Sequence, residues 1–185
     1  MFMIRGRIAS GILTADHYRV YDDLATQYAN NTLRLTSRQS IQFHGVVKSG
    51  LGPLMKRIND ALMTTLAACG DVNRNVMAPP TPVTESWMEE VHADSQCLSD
   101  ALLPTTPSYN AIWVEGVQLN LTDHQGHDDP LYGKTYLPRK FKTAFAVPPL
   151  NDLDLFSNCL GFLAIEEEGN LVGYNFTAGG GLGMS

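Results

Sequence analysis

Arg34-Leu35-Thr36-Ser37-Arg38-Gln39-Ser40-Ile41-Gln42-Phe43-His44-Gly45 carries the fold of this chain in its alternation. Even positions are polar (Arg34, Thr36, Arg38, Gln42, His44), and the apolar Leu35, Ile41 and Phe43 fall on odd ones, the period of a strand with one buried face. The pattern predicts strands over 32–36 and 41–47, with a turn near Gln39-Ser40 interrupting the register. Working outward, residues 2–8 alternate as a third strand, and Ser10-Gly11 marks a turn. Thr14 is placed to cap a helix whose Val20, Tyr21, Leu24, Ala25 and Tyr28 follow helical spacing, ending at Asn30-Asn31. After Gly50 and Gly52 a second helix is expected from Pro53 to Leu66, with the proline in its first turn. Strand, helix, strand, strand, helix is the order of a ferredoxin-like α+β unit.

A second region opens at Cys69-Gly70-Asp71, and Pro79-Pro80-Thr81-Pro82 reads as an extended connector. A helix is expected over 84–103 and strands over 109–121, 136–147, 161–166 and 171–177, with Glu168-Gly169-Asn170 as a hairpin tip. The fold class is therefore α+β: a ferredoxin-like half-domain over 1–67, then a mixed α/β region over 68–185. Gly179-Gly180-Gly181-Leu182-Gly183 follows the last strand. A glycine turn cradles phosphate when a helix N-terminus follows it, and that half of the motif is missing.

The 185 residues are 44% hydrophobic, enough for a core, and carry a net charge of −6. No apolar run is long enough for a membrane span, and Arg5 and Arg7 interrupt the N-terminal stretch where a signal peptide is apolar, so a cytoplasmic setting is expected. Cys69, Cys97 and Cys159 are widely spaced and odd in number, which reads as free thiols, two of them in apolar surroundings. An acidic chain is a poor general nucleic-acid binder, because phosphate contacts need positive potential over a whole face.

The positive charge is concentrated. Arg5, Arg7, Arg34, Arg38, Arg74, Arg139, Lys140 and Lys142 are eight of the thirteen lysines and arginines, and no acid lies between Asp23 and Asp60 or between Asp129 and Asp152. Any one of these residues alone belongs on a solvated strand face. As a set they lack the interspersed acids that relieve repulsion on such faces. In strands, Arg5 and Arg7 would share one face, and Lys140 and Lys142 another. A multiply charged anion is the partner expected, with Arg forks for carboxylates and Lys as point charges.

Arg34 to Gly45, Asn73-Arg74-Asn75-Val76 and Tyr136-Leu137-Pro138-Arg139-Lys140-Phe141-Lys142 resemble three signatures of the sulfite and nitrite reductase haemoproteins. The likeness extends to Gly11, Pro148-Pro149-Leu150-Asn151-Asp152 and Gly179-Gly180-Gly181-Leu182. Members of that family carry sirohaem, a carboxylate-rich iron isobacteriochlorin, coupled to a [4Fe-4S] cluster. The resemblance implies an oxidoreductase that reduces sulfite or nitrite by six electrons. By resemblance, Arg34, Arg38, Gln42, His44, Arg74, Arg139 and Lys142 contact the sirohaem, while Arg5, Arg74, Lys140 and Lys142 hold the substrate oxyanion and deliver protons. Lys142 favours sulfite, because nitrite reductases of the family tend to have Asn there and a dianion needs more positive potential. The family's four cluster cysteines have no counterpart in the three present. The chain therefore reads as an N-terminal portion of an assimilatory sulfite reductase haemoprotein, with no cluster, no stable sirohaem and no activity expected of it alone. Its implied partners are sulfite, the remaining C-terminal half, and a flavoprotein or ferredoxin electron donor; neither nucleic acid nor membrane is expected. The rival readings are a stand-alone tetrapyrrole or oxyanion binding module, a nitrite reductase fragment, and a polyanion binder whose affinity falls steeply with salt.

Three further groups of residues have bland readings. His124-Gln125-Gly126-His127-Asp128-Asp129 holds metal-capable side chains in a polar loop, which reads as solvated. Glu85, Glu89, Glu90, His92 and Asp94 read as the wet face of a helix. Trp87, Tyr109 and Trp113 read as core or its edge.

Overall fold

The computed structural model describes residues 1–82, 84–105, 113–114, 117–118 and 129–180. The first unit is built from β1 (Phe2–Arg5), α1 (Ala15–Tyr28), β2 (Leu33–Leu35), β3 (Ile41–Val46) and α2 (Lys48–Asp60). Its sheet order is β1-β3-β2, with both outer strands antiparallel to β3. This is the split β-α-β arrangement expected of a ferredoxin-like unit. The place of a fourth strand beside β1 is taken by one antiparallel bridge, Arg7 to Thr64.

Local chemistry accounts for the elements. Thr14 Oγ1 accepts from His17 N at 3.1 Å and caps α1, and Asn31 takes a positive φ just beyond its end. The buried stripe Tyr21, Leu24 and Ala25 of α1 packs with Leu54 and Ile58 of α2 onto Ile41, Phe43 and Val46 of β3. Each fully buried Leu, Ile or Phe contributes roughly 1.5–3 kcal/mol. One expectation is corrected: α2 starts at Lys48, so Gly50, Gly52 and Pro53 lie inside it. The apolar period begins at Leu51 and continues through Leu54, Met55 and Ile58, and this packing outweighs the amide that exposed Pro53 lacks.

The second unit has α3 (Ser86–Ala101), a two-residue strand pair β4 (Trp113–Val114) and β5 (Val117–Gln118), and the sheet β6 (Thr143–Ala146), β7 (Leu160–Glu167) and β8 (Asn170–Ala178). β6 is parallel to β7, and β8 antiparallel to it. Glu168 and Gly169, both at positive φ, make the two-residue turn between β7 and β8. Trp87, Met88 and Val91 of α3 pack on Phe145 and Ala164. The stretch 72–78 adds to the sheet through parallel bridges Asn73 to Phe141 and Met77 to Ala144. The expected strand over 136–147 is shorter: Tyr136 has positive φ and regular pairing begins at Thr143. Most of the strand expected over 109–121, with Tyr109 and the Trp113 side chain, lies outside the described residues, as do His124 to Asp128 and Gly181 to Ser185.

Asn75 joins the two units: its Nδ2 donates to Ile8 O (2.6 Å) and Arg38 O (3.0 Å), and its Oδ1 accepts from Ile8 N (2.9 Å). Gln39 adds a reciprocal pair with Ala78. No helix among the described residues is long and apolar enough to cross a membrane.

Candidate functional site

A cavity of about 590 Å³ lies at this junction, and five of its lining residues are cations: Arg5, Arg38, Arg74, Lys140 and Lys142. Arg5 comes from the end of β1, and Gln42 beside it from β3. Arg38 projects from the turn after β2, Arg74 from the stretch ahead of Asn75, and the two lysines from the approach to β6. Pairing of Arg5 and Arg34 with Gln42 across the sheet puts all three on the face opposite the Ile41 and Phe43 core.

Hydrogen bonds set the geometry. With its amide oxygen turned toward Arg5, Gln42 accepts from Arg5 Nη2 (2.5 Å) and Nε (2.9 Å) and donates to His44 Nε2 (2.9 Å). Arg5 Nη1 and Arg74 Nη1 both reach Ala68 O, at 3.3 and 3.5 Å, while Arg74 Nε donates to Gly70 O at 2.7 Å. Arg38 donates to Asn75 O (3.2 Å), Thr143 O (3.4 Å) and Asn158 Oδ1 (2.7 Å). Lys142 Nζ donates to Ser157 O.

None of these cations makes an ion pair among the described residues. Burial lowers the pKa of Arg38 and of Arg74, and in each a neighbouring arginine adds to the lowering: Arg74 acts on Arg38, and Arg5 on Arg74. A guanidinium is too strong a base to lose its proton at neutral pH, so both stay charged. The cavity therefore holds positive charge satisfied by carbonyls and amides, leaving net charge for an anion to neutralise. Asp152 and Asp154, which the sequence places far from most of these cations, also line it.

Other expected site residues fall elsewhere. Arg34 is exposed one strand further out, Arg139 is exposed outside the lining, and His44 reaches the cavity through Gln42. Arg7 does not share an open face with Arg5. It is 7% exposed, and its guanidinium donates to Ala67 O, Asn73 O and both the carbonyl and hydroxyl of Ser99. The reason is that β1 ends at Arg5, and the bridge to Thr64 turns residue 7 under the last turn of α3.

His92 is not on the wet face of α3. It falls on the stripe Met88, Val91, Ser95 and Ser99, with both ring nitrogens buried and unpartnered, and burial lowers its pKa. Glu85, Glu89, Glu90 and Asp94 are exposed, as expected, and Trp87 is buried. Asp129, the described member of the candidate metal loop, is committed to structure: burial raises its pKa, but hydrogen bonds from Thr105, Tyr132 and Leu131 prevail and hold it at about 2. The cysteines are free, yet Cys69 and Cys97 are exposed and Cys159 half-buried, so an apolar setting for two of them does not hold.

Sequence reasoning missed Asn158, which is 2% exposed and hydrogen-bonded to Arg38. The sequence carries no signal for it, since Asn158 is one of several polar residues, with Asn151, Asp152, Asp154 and Ser157, in the approach to β7.

Comparison with known proteins matches the chain to a family. A model described as the nitrite/sulfite reductase ferredoxin-like half domain matches residues 1–61, and one described as the nitrite and sulphite reductase 4Fe-4S domain matches residues 93–185. The chain is 51% identical over 185 residues to the sulfite reductase [NADPH] hemoprotein beta-component of Geobacillus kaustophilus, and 50% identical over 184 residues to that of Oceanobacillus iheyensis. In both, the match takes in 100% of this chain and 32% of the relative, so the chain spans about a third of their length. Among solved structures, the Mycobacterium tuberculosis NirA protein superposes with a TM-score of 0.70 at 23% identity, covering 98% of this chain and 28% of that one. Dissimilatory sulfite reductase I superposes at 0.57 and 12% identity, covering 90% and 33%. These last two likenesses concern the fold.

Proposed function

The chain belongs to the nitrite and sulphite reductase family, and from that premise we propose that it supplies the cationic part of the cofactor and substrate site of a sulfite-reducing haemoprotein. The observation that carries this reading is the convergence of Arg5, Arg38, Arg74, Lys140 and Lys142 on one cavity where, among the described residues, none of them forms an ion pair and five cations outnumber the two carboxylates, Asp152 and Asp154. The separate core clusters, one within residues 4–63 and the others beyond residue 66, support a division into a half-domain over 1–67 and a second unit over 68–185. Three free thiols accord with a cytoplasmic setting.

The residues present fit sirohaem. The fit rests on the half-buried guanidinium groups of Arg38 and Arg74, anchored by neutral acceptors and making no ion pair among the described residues, so that their charge calls for carboxylates. Arg38, Arg74, Gln42 and Lys142 would hold the propionate and acetate groups, with Arg34, Arg139 and His44 at the margin. Sirohaem, when bound, supplies the iron on which electrons reach the substrate. This chain's own residues handle charge and protons. Arg5, Arg74, Lys140 and Lys142 attract the oxyanion and stabilise the negative charge it gains. The lysine ammonium groups are the proton donors within reach, and each S–O bond that breaks consumes protons. Lys142 beside Lys140 raises the local potential, which favours a dianion such as sulfite over nitrite. The cysteines do not fit a [4Fe-4S] cluster: Cys69, Cys97 and Cys159 sit before Asp71, on α3 and ahead of β7 respectively. Cluster and electron donor, whether flavoprotein or ferredoxin, belong to other parts of the assembly.

The test is reconstitution. This chain, combined with sirohaem and a C-terminal half-chain from a relative, is expected to restore sulfite-dependent electron consumption. A complex that assembles, binds sirohaem and leaves sulfite untouched would favour a tetrapyrrole-binding module without turnover.

A further inference from the structure

We propose that Asn158 is a positioning residue: its amide oxygen fixes the guanidinium of Arg38 at the cavity, and the glycine turn after β8 fixes Asn158. The inference rests on the reading of the cavity as an anion site. Of the three acceptors around Arg38, Asn158 Oδ1 is the nearest at 2.7 Å, against 3.2 and 3.4 Å for the carbonyls of Asn75 and Thr143. Asn158 is itself held at both ends. Its Nδ2 donates to Asp154 O at 3.1 Å and its backbone N to Leu155 O at 3.0 Å.

The glycine turn presses on the same residue. Gly179 N donates to Cys159 O at 3.1 Å. A Cβ built on Gly180 would stand 1.9 Å from Asn158 O and 2.5 Å from its carbonyl carbon, and Gly180 has φ of +78°. A side chain at 180 would displace the backbone of Asn158 and carry its amide away from Arg38. This gives the first two glycines of the run a role that a phosphate loop does not require.

The choice of an amide follows from charge. An aspartate would hold Arg38 more tightly but would cancel the charge that the cavity gathers. A neutral acceptor orients the fork and leaves it cationic. Arg otherwise has large rotamer freedom, so an anchored guanidinium meets its ligand already ordered.

Two measurements on the full chain test this, with uroporphyrin, a carboxylate-rich porphyrin, as the probe. In guanidinium NMR, with the Arg38 signals assigned from Arg38→Lys, slow-exchanging Nη protons are expected in the unaltered chain, lost in Asn158→Ala and kept in Asn158→Asp. In fluorescence titration, Asn158→Ala is expected to weaken uroporphyrin binding about tenfold, and Arg38→Ala/Asn158→Ala to bind no more weakly than Arg38→Ala. Asn158→Asp should also bind more weakly although its Arg38 signals persist. Additive losses in the double variant, or unchanged Arg38 signals in Asn158→Ala, would overturn the positioning role. Should Asn158→Ala fail to fold, loss of the Arg38 signals in folded Asn158→Asp overturns it, and their retention with weakened binding supports it. If the unaltered chain binds uroporphyrin no better than Arg38→Ala does, the anion-site reading fails and the inference with it. If Arg38→Ala loses affinity while Asn158→Ala retains it, the positioning role fails alone.

Discussion

Gly6 lies against the hydroxyl end of Tyr21: a Cβ at residue 6 would stand 2.1 Å from Oη and 2.9 Å from Cζ. Tyr21 is fully buried, stacks on Phe43 with ring centroids 5.5 Å apart, and its hydroxyl has no hydrogen-bond partner. Gly6→Ala is therefore expected to destabilise the chain by about 1–3 kcal/mol through overpacking. Tyr21→Phe, which removes an unsatisfied buried hydroxyl, is expected to be neutral or stabilising by about 1 kcal/mol and to offset part of the Gly6→Ala loss. Urea denaturation of the four chains of this cycle reads both effects. Burial also pushes the Tyr21 pKa up to about 12. Raised above its unfolded value, it contributes stability in full below about pH 10 that is lost as pH climbs toward 12.

Arg7 and Arg5 should separate cleanly under mutation. Arg7→Met leaves the carbonyls of Ala67, Asn73 and Ser99 without their donor, and a loss of about 2–4 kcal/mol is expected in thermal or urea unfolding. Arg7→Lys should recover only part of it, because one ammonium cannot span acceptors on both sides of the planar fork. Arg5→Ala is expected to cost less stability and more anion affinity. Equal stability losses in the two would contradict the assignment of Arg7 to the fold and Arg5 to the cavity.

His92 gives the chain an acid-side sensitivity. Its folded pKa is depressed by burial, so the unfolded chain takes up a proton first as pH falls. Stability is complete above about pH 6.5 and declines from there toward the lowered folded value. His92→Leu should flatten that decline and, by removing two unpartnered nitrogens, raise stability at pH 6. Melting temperatures measured from pH 8 to pH 5 for both chains decide it; parallel curves would refute the assignment.

For the lysines the expected signature is functional. Lys140 is exposed, so Lys140→Ala should change stability by no more than about 0.5 kcal/mol. In the reconstituted enzyme, turnover of sulfite should fall at least tenfold for Lys140→Ala and for Lys142→Ala. Turnover unchanged in both variants would remove the lysines from the proposed chemistry.

The parts of the fold written in short-range periodicity were readable from residues alone. The alternation from Leu33 to Val46, the Thr14 cap and the Glu168-Gly169 turn each depend on neighbours a few positions apart, and each forms as expected. What depends on chain segments meeting was not readable. Alternation put Arg5 and Arg7 together, but the bridge to Thr64 and the end of α3 claimed Arg7 for the interior. The start of α2 was misjudged because proline preference is weaker than the packing of Leu51 and Leu54. The lack of nearby acids points to the gathering of five of the eight cations but not to the exclusion of Arg7, Arg34 and Arg139, and Asn158 and the lining acids Asp152 and Asp154 arrive from a connection whose path the sequence does not announce.

Arg38 springs from the first unit and ends on Asn75, Thr143 and Asn158 of the second. Neither unit by itself contains the basin, so it comes into being only when the two have docked. Any anion that fills it binds the docked form and not the separated one, and by mass action it shifts the balance toward docking, by about 2.7 kcal/mol at a hundredfold excess over its dissociation constant. Loading and assembly thus become one equilibrium, and a chain starved of its anion should betray itself first by loosening at this seam.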